Sequence, residues 1–399
     1  MQKVETSEQG LSNSGRFPLA LFCLTAGAFA IGMTEFVIMG LLPNVARDLD
    51  VTIAQAGQLI TGYALGVALG APILTIATSK IAQKQLLCLL MVIFIIGNLV
   101  GALAPSYGLL MGSRLVTALA HGTFLGTGSL IAARLVRPDR RAAAVSMVLA
   151  GLTIANIIGV PFGTLIGQQL GWRASFGAIT IMGIISLIGI ITMIPKIEQT
   201  EQPSLAKEVS SLFQPQVLLI LATGAFGCCS MFAVFTYITP MLTDVSGFQE
   251  SSVTWILVMY GIGVTLGNLI GGRLADWKLM PSVITIFIIL SALLLILSGV
   301  LHIPALALIF IFLWGMAAFG IMPGIQLRIM NLAHEAPRLA ATSSHSALNL
   351  GNAAGAFIGG VVLTQAGLVY VPLVGGLIAA IGTVGAILSY YMVEKRKAV

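Results

Sequence analysis

Two charged residues, Glu35 and Arg114, stand inside long apolar segments of this sequence. A charge within a membrane costs several kcal/mol, so a charged residue at such a position is a functional candidate. Glu35 lies eight residues before Pro43, and Arg114 lies seven residues after Tyr107. In helices of opposite direction, a rise of about 1.5 Å per residue places both roughly 10–12 Å below the same membrane surface. The spacing therefore predicts that the two residues meet across a central cavity.

Two interpretations of this pair stay open. In the first, Glu35 gains and loses a proton while Arg114 tunes it, because burial and a nearby guanidinium act on a carboxylate in opposite directions. In the second, the pair is a structural salt bridge that holds two helices together. We favour Glu35 as the protonation site.

His121 is a third titratable candidate. It lies two helical turns beyond Arg114 on nearly the same helix face, and an imidazole titrates near neutral pH. His121 would relay protons or contact a substrate, whereas a buried histidine bonded to a backbone carbonyl is the structural alternative. His345, in a later apolar segment, is a further polar candidate.

The elements that must hold these groups are membrane spans. The chain of 399 residues is 57% hydrophobic and only 9% charged, with a mean hydropathy of +1.01. Soluble domains carry about 25% charged residues. One crossing takes about 20 apolar residues, so the length accommodates about twelve crossings with short loops. The composition predicts an all-α, multi-pass protein of the lipid bilayer.

The basic residues predict how the chain is oriented. If the N-terminus is cytosolic, all twenty Lys and Arg residues fall in cytosolic segments except Arg47, Arg114 and Arg173. This bias follows the positive-inside rule and predicts both termini in the cytosol. Because the basic residues are scattered over many loops, a nucleic-acid partner is not expected despite the net charge of +6.

The chain divides into two similar halves. Residues 63–70 match residues 260–267, and residues 156–163 match residues 352–359, at nearly the same offset. Such a repeat is a known transporter architecture. We predict twelve transmembrane helices in two pseudo-symmetric six-helix bundles. The predicted domains are a cytosolic tail (1–16), the first bundle (17–195), a cytosolic linker (196–214), the second bundle (215–392) and a basic cytosolic tail (393–399).

Other chemistries lack support in the sequence. No Gly-Lys-Ser/Thr phosphate loop is present, so ATP drive is not predicted. No Ser/His/Asp set or metal cluster is apparent, so we predict neither an enzyme nor a metal site, and no cofactor beyond a proton gradient. The cysteines all fall in apolar runs and are predicted to be packing residues: Cys23, Cys88, Cys228 and Cys229.

Four segments carry a resemblance to a known family. They are residues 33–36 (Met-Thr-Glu-Phe) with Pro43 and Asp48, residues 113–115 (Ser-Arg-Leu) with His121, residues 159–163 followed by residues 171–173, and residues 347–352. The chain resembles the major facilitator superfamily in its twelve-helix drug:proton antiporter group. Within that group it is similar to bacterial sugar-efflux and arabinose-inducible-type exporters. The likeness extends over residues 17–392, and it implies that the arginine of the fourth span is linked to proton coupling.

The resemblance also implies a cavity lined by spans 1, 4, 7 and 10. Candidate cavity residues are Phe36, Met39, Tyr237, Phe319, Met322, His345, Asn349 and Asn352. Apolar side chains suit amphipathic drugs and the asparagines suit sugar hydroxyls, so the two substrate classes both stay open.

A cytosolic latch is implied as well, with Lys80, Arg273 and Asp276 as candidates. The acidic latch position of the first half is occupied by Ser79, which leaves Asp276 to carry that role alone. Pro161, beside two glycines, predicts a bend in the fifth span that acts as a hinge.

Together these features predict a proton-coupled exporter of small molecules, either drugs or sugars. It would work by alternating access as a monomer in the bacterial inner membrane. A proton-driven importer of a small metabolite on the same fold is the first alternative. A non-transporting membrane receptor is the second.

Overall fold

A computed structural model describes residues 18–78, 80–195, 214–332 and 337–397, which are nearly all helical and contain no β-strand. Eleven of their helices are long and apolar enough to cross a membrane. One of them has 51 residues, far more than the roughly 20 that one crossing needs. Its backbone leaves helical geometry at Lys278, so it forms two crossings. The prediction of an all-α fold with twelve spans is confirmed.

The helices fall into two sets. The first half contains α1 (Leu19–Gly40), α2 (Leu42–Asp48), α3 (Ile53–Ala77), α4 (Gln83–Ala102), α5 (Tyr107–Arg134), α6 (Arg141–Ile154), α7 (Val160–Leu170) and α8 (Trp172–Met193). The second half contains α9 (Pro215–Phe235), α10 (Glu250–Val300), α11 (Pro304–Leu332), α12 (Pro337–Gln365) and α13 (Tyr370–Lys397). The predicted N-terminal tail and nearly all of the linker lie outside the described residues. Helix α13 runs past residue 392, the predicted end of the bundle, because the segment after it contains no glycine or proline.

Helices α6 and α7 form one span that is interrupted by a π-helical turn, Ala155–Gly159. Pro161 explains the interruption, because proline has no N–H to donate to the carbonyl four residues earlier and its ring crowds that turn. The irregular turn lies directly before the proline from which a bend was predicted. The bend and its role as a hinge stay predictions.

One of the basic residues predicted for the cytosolic side lies within a helix. Helix α11 continues to Leu332 and carries Arg328 in a buried position. The segment after Gln326 contains no helix breaker, so the helix extends. The long side chain then reaches α13, where Nη2 donates a hydrogen bond to the carbonyl oxygen of Ser389 at 2.9 Å.

Helices α1 and α9 form the centre of the molecule. Every residue from 30 to 40 of α1 and from 227 to 235 of α9 is buried. Outer helices instead expose a stripe of large apolar side chains to lipid, such as Ile181, Ile184 and Ile188 of α8. The two halves meet where α3 packs along α12 and where α7 packs against α10.

The halves are joined at one end of the molecule, which carries residues 41–52, 168–172 and 239–254 and which we call the closed end. There the Gln168 side chain donates to the carbonyl oxygen of Glu250 at 2.8 Å and accepts from Thr254 at 3.2 Å. The Thr239 hydroxyl donates to the carbonyl oxygen of Met39 at 2.8 Å. These bonds hold the first half against the second.

Asp48 supports the closed end from within the first half. Its Oδ2 accepts hydrogen bonds from Arg173 at 2.5 Å and from the indole of Trp172 at 3.1 Å. The Arg173 hydrogen bond holds the pKa of Asp48 below its usual value, and partial burial acts in the opposite direction. Two sequence segments that carry the family resemblance, around residues 48 and 171–173, are thus in contact.

Removing the ion pair at the closed end is expected to have a small effect. Arg47 Nη2 lies 3.2 Å from Glu250 Oε1, but the two side chains are 71% and 46% exposed. Exposed pairs contribute at most about 1 kcal/mol, so Arg47→Ala should change the transport rate by less than about fivefold. Initial rates in membrane vesicles measure this. A complete loss of transport in Arg47→Ala would show that the ion pair contributes more than a weak surface contact.

Candidate functional site

Glu35 lies in the centre of the molecule on α1 and away from lipid. The residue is 7% exposed, because α1 is surrounded by other helices along this stretch. The preceding residue is fixed in place: the Thr34 hydroxyl donates to Asn98 Oδ1 of α4 at 2.7 Å. Proton-carrying acids of membrane proteins are found inside the helix bundle, as Glu35 is, rather than at its lipid surface.

Arg114 approaches α1 from α5. Its guanidinium donates hydrogen bonds to the carbonyl oxygens of Thr34 and, at 3.5 Å, of Glu35. The same group lies over the ring of Tyr63, 4.1 Å from the ring centroid. The two residues meet as the spacing predicted, but the guanidinium binds the backbone of residue 35 rather than its carboxylate. Cation–π stacking and these bonds together hold a buried cation in place.

His121 connects Glu35 with Tyr63. Its Nδ1 is 3.0 Å from the Tyr63 hydroxyl oxygen, and its Nε2 is 4.0 Å from Glu35 Oε2. When the phenol donates to Nδ1, the proton of the neutral imidazole must lie on Nε2, which faces the carboxylate. We call Glu35, Tyr63, Arg114 and His121 the coupling cluster. It brings together three spans, α1, α3 and α5.

Tyr63→Phe tests whether the hydroxyl positions His121. The variant loses one hydrogen bond of about 0.5–1.5 kcal/mol but keeps the ring that stacks on Arg114, so transport should fall about three- to tenfold. Tyr63→Leu also removes the ring and should fall further. Transport rates measured between about pH 5 and pH 8 cover the range in which histidine titrates. If Tyr63→Phe kept both the rate and the pH profile of the wild type, His121 would not depend on this contact.

The residues predicted to line the cavity differ in how deeply they are buried and in what they contact. Phe36, Met39 and Tyr237 are buried. Met39 accepts the bond from Thr239, and Tyr237 donates to the carbonyl oxygen of Ala356 at 3.0 Å. In this conformation Met39 and Tyr237 therefore belong to the packing of the closed end. Three others are half-buried (Phe319, Met322 and His345), and Asn349 and Asn352 are buried.

The predicted latch residues lie at the opposite end from the closed end. Lys80, Arg273 and Asp276 are all exposed, and Asp276 precedes the break in α10 by two residues. Ser79 lies outside the described residues. The latch stays a prediction.

Comparisons with known proteins identify the family. The sequence model described as Major Facilitator Superfamily matches residues 24–344. The chain is also 41% identical to the inner membrane transport protein YdhP of Escherichia coli (strain K12), over 90% of this chain and 93% of YdhP. The chain belongs to the major facilitator superfamily. Membership confirms the predicted family and identifies the protein as a multi-pass inner-membrane transporter of small molecules and not an enzyme.

Two other relatives in the superfamily have names that describe a function. The chloramphenicol resistance protein of Streptomyces lividans is 32% identical, over 87% of this chain and 89% of that protein. The probable sugar efflux transporter of Helicobacter acinonychis (strain Sheeba) is 28% identical, over 90% and 92%. A solved structure of a bacterial homologue of the human lysosomal transporter Spinster, inward-facing and occupied, superimposes with a TM-score of 0.73 at 16% identity. The superposition covers 93% of this chain and 96% of the Spinster homologue, which confirms the fold.

The second half of this superfamily member carries aromatic residues where the first half carries the coupling cluster. Tyr260, the repeat counterpart of Tyr63, stacks on Phe235 at 4.6 Å between ring centroids, and Trp314 lies 5.0 Å from Tyr260. Phe36 of α1 meets the same group, 6.2 Å from Phe235. Among the described residues, the two halves of the transporter therefore differ in chemistry at equivalent places.

Tyr63 is a site residue that the sequence alone does not single out. Tyr63 and Tyr260 open the two copies of the repeated segment, so the tyrosine was noted for its repetition alone. Buried phenols usually find a hydrogen-bond partner, and a polar partner deep in a membrane is rare. The need for such a partner is the signal in the sequence that connects the Tyr63 hydroxyl with the polar side chains of α5.

Proposed function

We propose that this transporter exports small molecules in exchange for protons. The observation that carries the proposal is the coupling cluster, in which a buried carboxyl group, an imidazole and a phenol lie in sequence at the centre of the bundle. Two relatives named for chloramphenicol resistance and for sugar efflux support export of a drug-like or sugar-like molecule.

Alternating access would couple the two movements. A neutral carboxyl group is far easier to bury than a carboxylate, so Glu35 crosses between the two conformations most readily when it is protonated or when a hydrogen-bond donor of the substrate takes the place of the proton. Arg114 holds α1 by its backbone and supplies a fixed positive charge near the carboxyl group. His121 offers the proton a path between Glu35 and Tyr63.

The orientation proposed for the chain makes the closed end the outer surface. With both termini in the cytosol, as the basic residues indicate, the hydrogen bonds of Gln168 and Thr239 seal the outer side. With that orientation, we propose that this conformation faces inward, ready to receive a cytosolic substrate. The protein is proposed to act as a monomer, because each chain contains a complete coupling cluster and both halves.

Transport in everted membrane vesicles tests this function. Radiolabelled chloramphenicol and lactose should be screened with an acidic vesicle interior, and at least one should accumulate and be released by a protonophore. Accumulation only in right-side-out vesicles with an acidic exterior would show a proton-driven importer instead. Transport that is independent of the proton gradient in both orientations would contradict proton coupling.

A further inference from the structure

Three buried side-chain oxygens of α12 lack hydrogen-bond partners: Ser346 Oγ, Asn349 Oδ1 and Asn352 Oδ1. Asn349 and Asn352 are each 6% exposed, and the Oδ1 atom of each makes no hydrogen bond. The Asn349 amide nitrogen is engaged, since it donates to the carbonyl oxygen of His345 at 3.0 Å. Leaving a buried acceptor unpaired costs about 1–3 kcal/mol, and native proteins do so rarely. An unpaired acceptor pair in a transporter is a place for a ligand donor.

The helix geometry points these oxygens toward the boundary between the halves. Residues 345, 349 and 352 are three or four apart and share one face of α12. A neighbouring face, at Gly351 and Gly355, packs directly on the α9 backbone. Leu350 is exposed to lipid on the far side. The remaining face, which carries Asn349 and Asn352, is therefore directed toward the centre of the molecule, where α12 also contacts α5 of the first half.

The charges near this face are few and already engaged. Glu35 is the one carboxylate in the interior of the described spans, and the fixed charge of Arg114 lies beside it. Arg114 itself is 1% exposed and is held by two carbonyl oxygens and an aromatic ring. His121 is bound to Tyr63. The Glu35 carboxylate lies near the Arg114 charge and 4.0 Å from His121 Nε2, so it is not free to serve a ligand cation. Arg114 Nε makes no hydrogen bond, but the residue is 1% exposed and its guanidinium is held by α1 and Tyr63, so it is not open to a ligand anion.

We propose that the substrate is an uncharged molecule whose hydroxyl or amide N–H groups donate hydrogen bonds to Asn349 Oδ1 and Asn352 Oδ1. A permanently charged ligand would be desolvated here without a counter-charge, and that penalty amounts to several kcal/mol for an ion. An uncharged donor instead satisfies two acceptors that are otherwise unpaired. This inference rests on the proposed transport function, and it excludes lipophilic cations as the main substrates.

A transport panel separates the substrate classes. Chloramphenicol, lactose and isopropyl thiogalactoside are uncharged and carry hydroxyl donors, whereas tetraphenylphosphonium and ethidium are cations. We expect proton-driven export of at least one uncharged probe and of neither cation by the wild-type protein in everted vesicles. Export of a cation without any uncharged probe would overturn the inference and leave the proposed exporter intact. Failure to move any probe would count against both.

Substitutions of the asparagines test the contact itself. Asn349→Leu and Asn352→Leu should each weaken the affinity for the transported uncharged probe by about three- to tenfold, the effect of one lost hydrogen bond. Asn352→Asp should reduce export of the uncharged probe and give measurable export of tetraphenylphosphonium. Unchanged affinities in both leucine variants would overturn the assignment.

Asn156 provides a matched control for these variants. It is the repeat counterpart of Asn352, is equally buried, and its amide donates to the carbonyl oxygen of Leu152 at 3.1 Å. Its oxygen is not among the unpaired buried acceptors. Asn156→Leu should therefore leave the probe affinity of the purified full-length protein unchanged. An equal loss in this control would mean that the α12 effects reflect packing, which contradicts the proposed contact.

Discussion

Replacing Glu35 with glutamine is expected to reduce proton-driven transport to the background of membranes without the protein. Glutamine has nearly the same size and keeps the hydrogen-bonding capacity of the side chain, but it does not ionise in this pH range. Glu35 is the carboxyl group that faces His121 Nε2, at 4.0 Å. Without it, the coupling cluster has no carboxyl group to carry the proton between the two conformations.

The coupling defect must be distinguished from a folding defect. Exchange of labelled for unlabelled substrate at equilibrium needs no net proton movement, so Glu35→Gln should retain exchange while losing accumulation. Asp50→Asn is the matched control, because it also changes an acid to an amide but lies outside the spans, at a left-handed backbone position (φ 51°) that asparagine tolerates. Accumulation of substrate by Glu35→Gln against a gradient would show that the proton is carried elsewhere.

The spans could be predicted because each crossing requires a long apolar run that the sequence displays directly. The meeting of Glu35 and Arg114 followed from their depths, since the rise of a helix is fixed. Sequence spacing gives depth and helix face, however, and not the partner that a flexible side chain selects. Arg114 reaches the carbonyl oxygens of α1 rather than the Glu35 carboxylate, which depends on how close α1 and α5 pack.

The contacts missed by the sequence analysis share one physical origin. The Tyr63 hydroxyl and the His121 ring come from helices far apart in the chain, and their bond depends on the rotation of α3 relative to α5. Arg328 lies within α11 because this helix extends to Leu332. Helix ends are the least certain part of a pattern-based assignment. The repeat gave equivalent positions in the halves but not their chemistry: Tyr63 bonds a histidine, whereas Tyr260 stacks among aromatic rings.

Gly261 lies where the backbones of the two halves approach each other closely, and adding a single methyl group there should disfavour the closed end. A Cβ atom built on Gly261 of α10 would lie 2.6 Å from the carbonyl oxygen of Asn156 and 2.9 Å from the Cα of Ile157, on the opposite half. Backbone atoms cannot move aside as a side chain does, so the halves must separate. Overpacking of this kind costs about 1–3 kcal/mol.

Alanine is the informative substitution because it stabilises the helix. In a helix interior alanine is favoured over glycine by about 1 kcal/mol, so any loss in Gly261→Ala reports crowding between the halves. The ratio of the closed-end conformation to its alternative should fall about 5- to 150-fold, the factor that corresponds to 1–3 kcal/mol. Transport should fall with it, while the amount of inserted protein should not.

Thiol labelling at the closed end measures this shift. Thr254 is 5% exposed and contacts Gln168 across the halves, so a Thr254→Cys reporter, in a protein without its four native cysteines, is protected while the end is closed. Gly261→Ala should raise its rate of reaction with a membrane-impermeant maleimide. Gly177→Ala is the control, because a Cβ on Gly177 of α8 would meet no atom within 4 Å. Equal labelling rates in both variants would mean that the Gly261 contact does not hold the halves together, since a methyl group that must separate two backbones cannot leave the protected cysteine as inaccessible as before.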